Sequence, residues 1–118
     1  MRGKPKPELS IRIDLPGGGR FGPGKAALLE AISEHSSLNK AAAHLGMSYP
    51  RAKKLVEDMN RDFSLALVVS SQGGAGGGGS HLTDTGRKVL KLYRELCVRS
   101  LSQNADILKQ IAHSTARD

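Results

Sequence analysis

The stretch S-L-N-K-A-A-A-H-L-G-M-S-Y-P-R-A-K-K-L-V-E-D-M-N, from Ser37 to Asn60, decides the fold. Leu38, Ala41, Ala42 and Leu45 recur at helical spacing and give a first short helix one apolar face. Gly46 adopts positive φ at little steric cost, so it ends that helix and turns the chain. Ser48 stands where it caps a second helix, with Pro50 in the first turn, where a missing N–H costs nothing. Ala52, Val56 and Met59 form the buried face of this second helix, and the small alanines of the first let the two cross closely. This is the spacing of a helix-turn-helix whose second helix enters the DNA major groove. The polar face of the second helix carries Ser48, Tyr49, Arg51, Lys53 and Lys54, side chains suited to phosphates and base edges.

Composition supports an anionic partner. One hundred and eighteen residues make one domain, with room for a dimerisation extension. The 18 Lys and Arg against 11 Asp and Glu leave a net charge of +7, and nucleic acid is the first partner to consider. Two Phe, two Tyr and no Trp are too few for a surface that stacks on unpaired bases, which favours duplex DNA over single strands. Cys97 is the only cysteine, so neither an internal disulfide nor a cysteine-based zinc site is expected. The basic N-terminus has no apolar run behind it and no stretch reaches membrane-spanning length, so no membrane partner and a cytoplasmic location are expected.

Around the central stretch, residues 1–8 read as a mobile basic N-terminus. Leu9 to Leu15 alternates with period two and predicts a strand with Leu9, Ile11, Ile13 and Leu15 on one face. Gly17, Gly19 and Gly22 match a dinucleotide-binding glycine pattern. The chain lacks room for that sheet and lacks the acidic residue at the required distance, so the reading is a turn before a helix. That helix spans Gly24 to Glu34, with Ala27, Leu28, Ala31 and Ile32 as its buried stripe. Glu30 and Glu34 give it local negative charge, which turns it away from DNA.

After Asn60, Leu65 to Ser70 predicts a strand, Gln72 to Gly79 a glycine-rich loop, and Ser80 to Leu82 a short return strand. A hairpin there is the wing of a winged helix-turn-helix. No Lys-Ser or Lys-Thr follows the glycines, so the loop is not a Walker-type phosphate loop. Thr83 or Asp84 caps a last helix running from about Thr85 to His113, with Val89, Leu90, Tyr93, Leu96, Cys97, Leu101, Leu108 and Ile111 as its apolar positions and a weak patch at Gln103 to Ala105. One small domain cannot cover a stripe this long, so its second half is expected to pair with another copy. The boundaries are therefore 9–83 for the winged helix-turn-helix and 84–118 for the dimerisation helix and tail. The fold class is mainly α with a small β-wing.

No catalytic constellation stands out, so no enzyme, no cofactor and no metal site is expected. His35, His44, His81 and His113 are scattered over different elements and none forms an i, i+4 metal pair. His44 reads as a helix-surface residue. Cys97, on the apolar side of the last helix, reads as an inert thiol.

Linked motifs make the chain similar to the N-terminal DNA-binding domain of the ModE family of molybdate-responsive transcriptional regulators, over roughly Phe21 to Leu101. They are A-A-x-x-L-G-M-S-Y at Ala41 to Tyr49 with Ala52 and Met59-Asn60 after it, the glycines of Gly73 to Gly79, and L-T-x-x-G at Leu82 to Gly86 with Leu90 and Tyr93 beyond. The helix-turn-helix also resembles that of LysR-type regulators, a family without this glycine wing. The ModE resemblance implies a winged helix, a homodimer joined through the final helix, and a palindromic promoter site. It carries DNA binding to Ser48, Tyr49, Arg51 and the wing glycines. Lys53 stands where the family often has Trp, and Ala75 where a basic residue is common. Full-length members hold their molybdate sites in later domains, so molybdate is not expected to bind this chain.

The expected DNA-binding set is thus Asn39, Lys40, Ser48, Tyr49, Pro50, Arg51, Lys53 and Lys54, with Gly76, Gly77, Gly78, Ser80 and His81 in the wing. The expected dimer seam is Leu90, Tyr93, Cys97, Leu101, Leu108 and Ile111. Two other readings compete with a specific regulator: a module docking a larger partner through the long helix, and a nonspecific architectural DNA binder. A pure docking module has no need of Arg51, Lys53 and Lys54 beside a capped helix start.

Overall fold

The computed structural model describes residues 6–74 and 77–115, so Gly76, Ala75, most of the basic N-terminus and the last three residues lie outside the described residues. The chain opens with a short antiparallel pair, β1 (Ile13–Asp14) and β2 (Arg20–Phe21), registered Ile13 to Phe21 and Asp14 to Arg20. The strand expected over Leu9 to Leu15 is shortened to two residues. Its partner is cut off at Phe21, because Pro23 begins α1 (Pro23–His35) two residues later. Of the expected strand face, Ile11, Ile13 and Leu15 are half-buried and Leu9 is exposed. Gly17 and Gly18 form the turn between the strands, and the Leu15 N–H closes it on the Gly19 carbonyl at 2.7 Å.

Helix α1 buries Ala26, Leu28, Leu29, Ala31 and Ile32. The stripe is wider than the expected four residues and includes Leu29 and Ala26, while Ala27 is only half-buried. A helix packed on by several elements at once needs more than one seam, and α1 contacts α2, α3, α4 and the wing.

Helices α2 (Leu38–His44) and α3 (Tyr49–Asp62) form the helix-turn-helix. Each is capped by a serine: Ser37 Oγ accepts from the Lys40 N–H at 3.1 Å and Ser48 Oγ from the Arg51 N–H at 3.2 Å. Gly46 turns the chain between them with φ of 69°. Leu38, Ala41 and Ala42 on α2 and Ala52, Val56 and Met59 on α3 are buried. The alanines remove the bulk that would hold the helices apart.

The hairpin of β3 (Val68–Gly74) and β4 (Gly77–Leu82) is antiparallel, with Val68 opposite Leu82 and Ser70 opposite Ser80. Pairing continues well into the glycine run, so the strands are longer and the loop shorter than the sequence predicts. The Ser71 hydroxyl accepts from the Gly79 N–H at 3.1 Å in that part of the ladder, where the glycines offer no side chains to pack.

The motif L-T-x-x-G joins wing to last helix. Leu82 is buried, and the Thr83 hydroxyl donates to the Ala66 carbonyl at 2.6 Å while accepting from the Gly86 N–H at 2.9 Å as the cap of α4 (Asp84–Gln103). A β-carbon on Gly86 would lie 2.1 Å from the Leu67 carbonyl oxygen, so glycine is what lets α4 lie against that strand entrance. Farther along α4, Tyr93 meets Phe21 edge-on at 5.1 Å and donates its hydroxyl to the Ile11 carbonyl at 2.6 Å. Arg94 adds an ion pair to Glu30 of α1.

The last helix is not continuous to His113. It breaks at Asn104, whose φ of −113° and ψ of 16° leave the helical region, and resumes as α5 (Ala105–His113). The break falls on the polar patch Gln103 to Ala105. The Asn104 side-chain amide donates to the Ser100 carbonyl at 2.7 Å, sharing that acceptor with its own backbone N–H at 3.2 Å.

Candidate DNA-binding surface

Helix α3 begins at the surface. Ser48, Tyr49, Pro50, Arg51, Lys53 and Lys54 are all exposed, as expected of a face that meets a ligand. Ala52, Val56 and Met59 hold the opposite face in the core, which fixes which way the exposed side chains project. The Arg51 and Lys53 side chains make no hydrogen bond or ion pair among the described residues, nor does Lys40 of α2. Unpaired cations at a helix start need not break an internal contact to reach phosphate.

Lys54 differs from this picture. Its ammonium pairs with Asp58 at 2.8 Å, and Arg61 reaches the same carboxylate oxygen at 2.8 Å. Hydrogen bonds from Lys54 and then Arg61 hold the Asp58 carboxyl below its usual range. Spacing alone put Lys53 and Lys54 on equal terms for phosphates. The geometry separates them, leaving Lys53 free and tying Lys54 to its own helix.

Tyr49 borders a groove of about 520 Å³ between the helix-turn-helix and the wing. Ser37, Leu38 and Asn39 line it from the start of α2, and Ser70, Ser71, Gly79 and Ser80 from the wing. The expected residues Asn39, Tyr49 and Ser80 therefore meet in one place. Ser80 is itself buried and shares a 3.1 Å hydroxyl contact with Ser70, so its hydroxyl is partly engaged. Lys40 and His81 are exposed, while Gly77 and Gly78 lie in β4. Sequence reading missed Ser37, Ser70 and Ser71. Ser37 was legible as a helix cap, but the two wing serines needed the strand register to place them.

Asn60 was also missed as a positioning residue. Its Oδ1 accepts from the N–H groups of Leu67 and Val68 at 2.8 and 3.1 Å, and its Nδ2 donates to the Val68 carbonyl at 3.0 Å. One side chain thus fastens the end of α3 to the first residues of the wing. A second tie to the wing comes from between α1 and α2, where the Ser36 carbonyl accepts from the Ser80 N–H at 3.2 Å.

The residues assigned to a dimer seam fall into two groups. Tyr93 is buried in its own chain's core, and Leu90 and Cys97 are half-buried against it. Burial first, then Cys97, pushes the Tyr93 phenol up to about 12. Leu101 and Ile111 are exposed and Leu108 is half-buried. Leu92, Leu96, Val98 and Ile107 are exposed as well, so α4 and α5 present more apolar surface than the expected seam. The histidines are not all scattered. His35 and His44 come together at 4.9 Å between ring centroids.

A helix-turn-helix with an exposed cationic helix start, followed at once by an antiparallel wing, defines a winged helix-turn-helix protein. The chain belongs to the lysR family of bacterial regulatory helix-turn-helix proteins, matching it over residues 25–87. Within that class its helix-turn-helix DNA-binding domain is of the ModE type. It is 38% identical over 86 residues to the molybdenum transport protein ModE of Azotobacter vinelandii, covering 73% of this chain and 32% of that protein. It is 41% identical over 75 residues to the molybdenum transport protein ModE of Herbaspirillum seropedicae, covering 64% and 28%. It is 35% identical over 71 residues to the DNA-binding transcriptional dual regulator ModE of Escherichia coli K12, covering 60% and 27%. The chain thus spans a third or less of the length of these relatives. Among the described residues no helix is long and apolar enough to cross a membrane.

Proposed function

We propose that this chain is a sequence-specific duplex-DNA-binding transcriptional regulator that acts as a homodimer on a palindromic site. The observation that carries this reading is the start of α3, where Arg51 and Lys53 stand exposed and unpaired beside the groove that Tyr49 shares with the wing. In this reading Arg51 donates two hydrogen bonds to a guanine edge in the major groove. Lys53 and Lys40 contact phosphates. The wing approaches the backbone through main-chain N–H groups and serine hydroxyls, since no basic residue lies between Gln72 and His81.

The exposed apolar side chains of α4 and α5 support the dimer. Leu92, Leu96, Val98, Leu101, Ile107 and Ile111 are each more than 40% exposed, a surface that a second copy would bury. A two-fold axis there would place two α3 helices for two half-sites, which gives the palindrome. Residues 9–83 would then serve DNA and residues 84–118 mainly assembly. Molybdenum appears in the names of two of the relatives; in this reading it does not bind residues 1–118, and a saturable rise in Tm with molybdate but not sulfate would contradict that.

Selection of bound duplexes from a random pool tests the whole reading. An enriched palindrome supports it. Binding without enrichment would indicate an architectural binder, and no binding at low salt would indicate a docking module.

A further inference from the structure

We propose that Glu34, His35 and His44 form a binding site for a borderline divalent cation such as zinc, built where the last turn of α1 meets the last turn of α2. Each residue offers one ligating atom, and these atoms all lie within 4.8 Å of one another. The rings of His35 and His44 face each other at 4.9 Å, tilted by 48°. His35 Nε2 is sealed from solvent with no hydrogen-bond partner among the described residues. A buried polar atom left unpaired is costly, and coordination there satisfies it.

Two imidazoles and a carboxylate form a donor set suited to zinc and its neighbours, with water completing the shell. Metal–ligand bonds of about 2.0–2.2 Å in a tetrahedral shell put ligand atoms about 3.4 Å apart. No separation therefore has to close by more than about 1.4 Å, since all lie within 4.8 Å. Glu34 and His44 are exposed, so rotation of their side chains supplies that movement without disturbing the core. The electrostatics agree. Both histidines sit in the last turns of their helices, where unpaired carbonyls favour positive charge.

The cation would cross-link two helices separated in sequence only by Ser36 and Ser37. The Ser36 carbonyl supports the wing through the Ser80 N–H, and Ser37 caps α2. Binding there would stiffen the base on which the helix-turn-helix and wing are mounted. The inference does not depend on the chain binding DNA.

The test uses the full chain, free of any polyhistidine tag and stripped with a chelator, titrated with zinc chloride and in parallel with magnesium chloride. The expected result is one zinc per chain, a saturable rise in Tm with zinc but not magnesium, and shifts of the ring-proton signals of His35 and His44. His44→Ala should weaken zinc binding by more than about tenfold, since losing a ligand costs more than losing a group that merely orients one. Glu34→Gln should weaken it in the same direction, while His81→Ala and Cys97→Ser should leave it unchanged. Absence of stoichiometric zinc binding overturns the proposal. So does zinc binding that survives His44→Ala intact or is abolished by His81→Ala or Cys97→Ser.

Discussion

Asn60→Ala should unfasten the wing from the recognition helix. The substitution removes three hydrogen bonds of 2.8, 3.0 and 3.1 Å and leaves the N–H groups of Leu67 and Val68 and the Val68 carbonyl without those partners. Leu67 and Val68 are at most 3% exposed, so solvent compensates poorly. At about 1 kcal/mol per bond, with part of the desolvation cost added where groups stay unpaired, the loss should be about 3 kcal/mol. For a domain of this size that lowers Tm by about 10–20 °C. Urea unfolding at fixed protein concentration measures the same quantity, with a shift in midpoint at unchanged slope. Asn60→Asp keeps an acceptor for the two N–H groups but turns a carboxylate toward the Val68 carbonyl, so it should fall between wild type and alanine. A loss below about 0.5 kcal/mol for Asn60→Ala would mean that these contacts do not hold the wing.

Other substitutions probe other joints of the structure. Gly86→Ala drives a β-carbon to 2.1 Å from a backbone carbonyl and should cost at least about 2 kcal/mol in a denaturant melt, from overpacking against Leu67. Tyr93→Phe removes the bond to Ile11 and should cost about 1 kcal/mol at neutral pH. The phenol is raised from 10 to about 12, so the stability it contributes is complete below pH 10 and is lost as pH rises through 12; the difference between wild type and Tyr93→Phe should shrink across that window. Leu101→Asp places a charge on the exposed apolar face of α4 and should shift sedimentation toward monomer without lowering the stability of the monomer, since Leu101 is 44% exposed in the single chain. A wild-type chain that sediments as a monomer at concentrations of about tens of micromolar would refute the dimer.

The helix-turn-helix was legible because every local signal agreed. The serine cap at Ser48, a glycine at positive φ and alanines at the crossing are short-range features that a sequence carries on its face. The paired glycine strands were harder to read. Glycine has low strand propensity, and the ladder is set by the register of Val68 with Leu82 and Ser70 with Ser80 rather than by the residues themselves. Periodicity carried the last helix straight across Gln103 to Ala105. An apolar pattern constrains which face is buried, not whether the backbone stays helical where the pattern weakens, and Asn104 leaves the helical region there while its side chain bonds the Ser100 carbonyl. Within the candidate site, the exposed residues of α3 followed from helical phase. The distinction between Lys53 and Lys54 did not, because it depends on where Asp58 points. The meeting of His35 with His44 depends on the angle between two helices, which spacing along the chain does not report.

The central claim is that Arg51 reads bases while Lys53 only neutralises phosphate. A salt titration of Arg51→Ala, Lys53→Ala and Lys54→Ala on the selected duplex and on random duplex tests it most directly. Arg51→Ala should lose about 5- to 150-fold more affinity on the selected duplex than on the random one, the equivalent of about 1–3 kcal/mol of base discrimination. Lys53→Ala should weaken both alike and lower the salt slope by about 0.9, and Lys54→Ala, already paired with Asp58, should change the slope less. Equal losses on both duplexes for Arg51→Ala would contradict the account and reduce that residue to a phosphate contact.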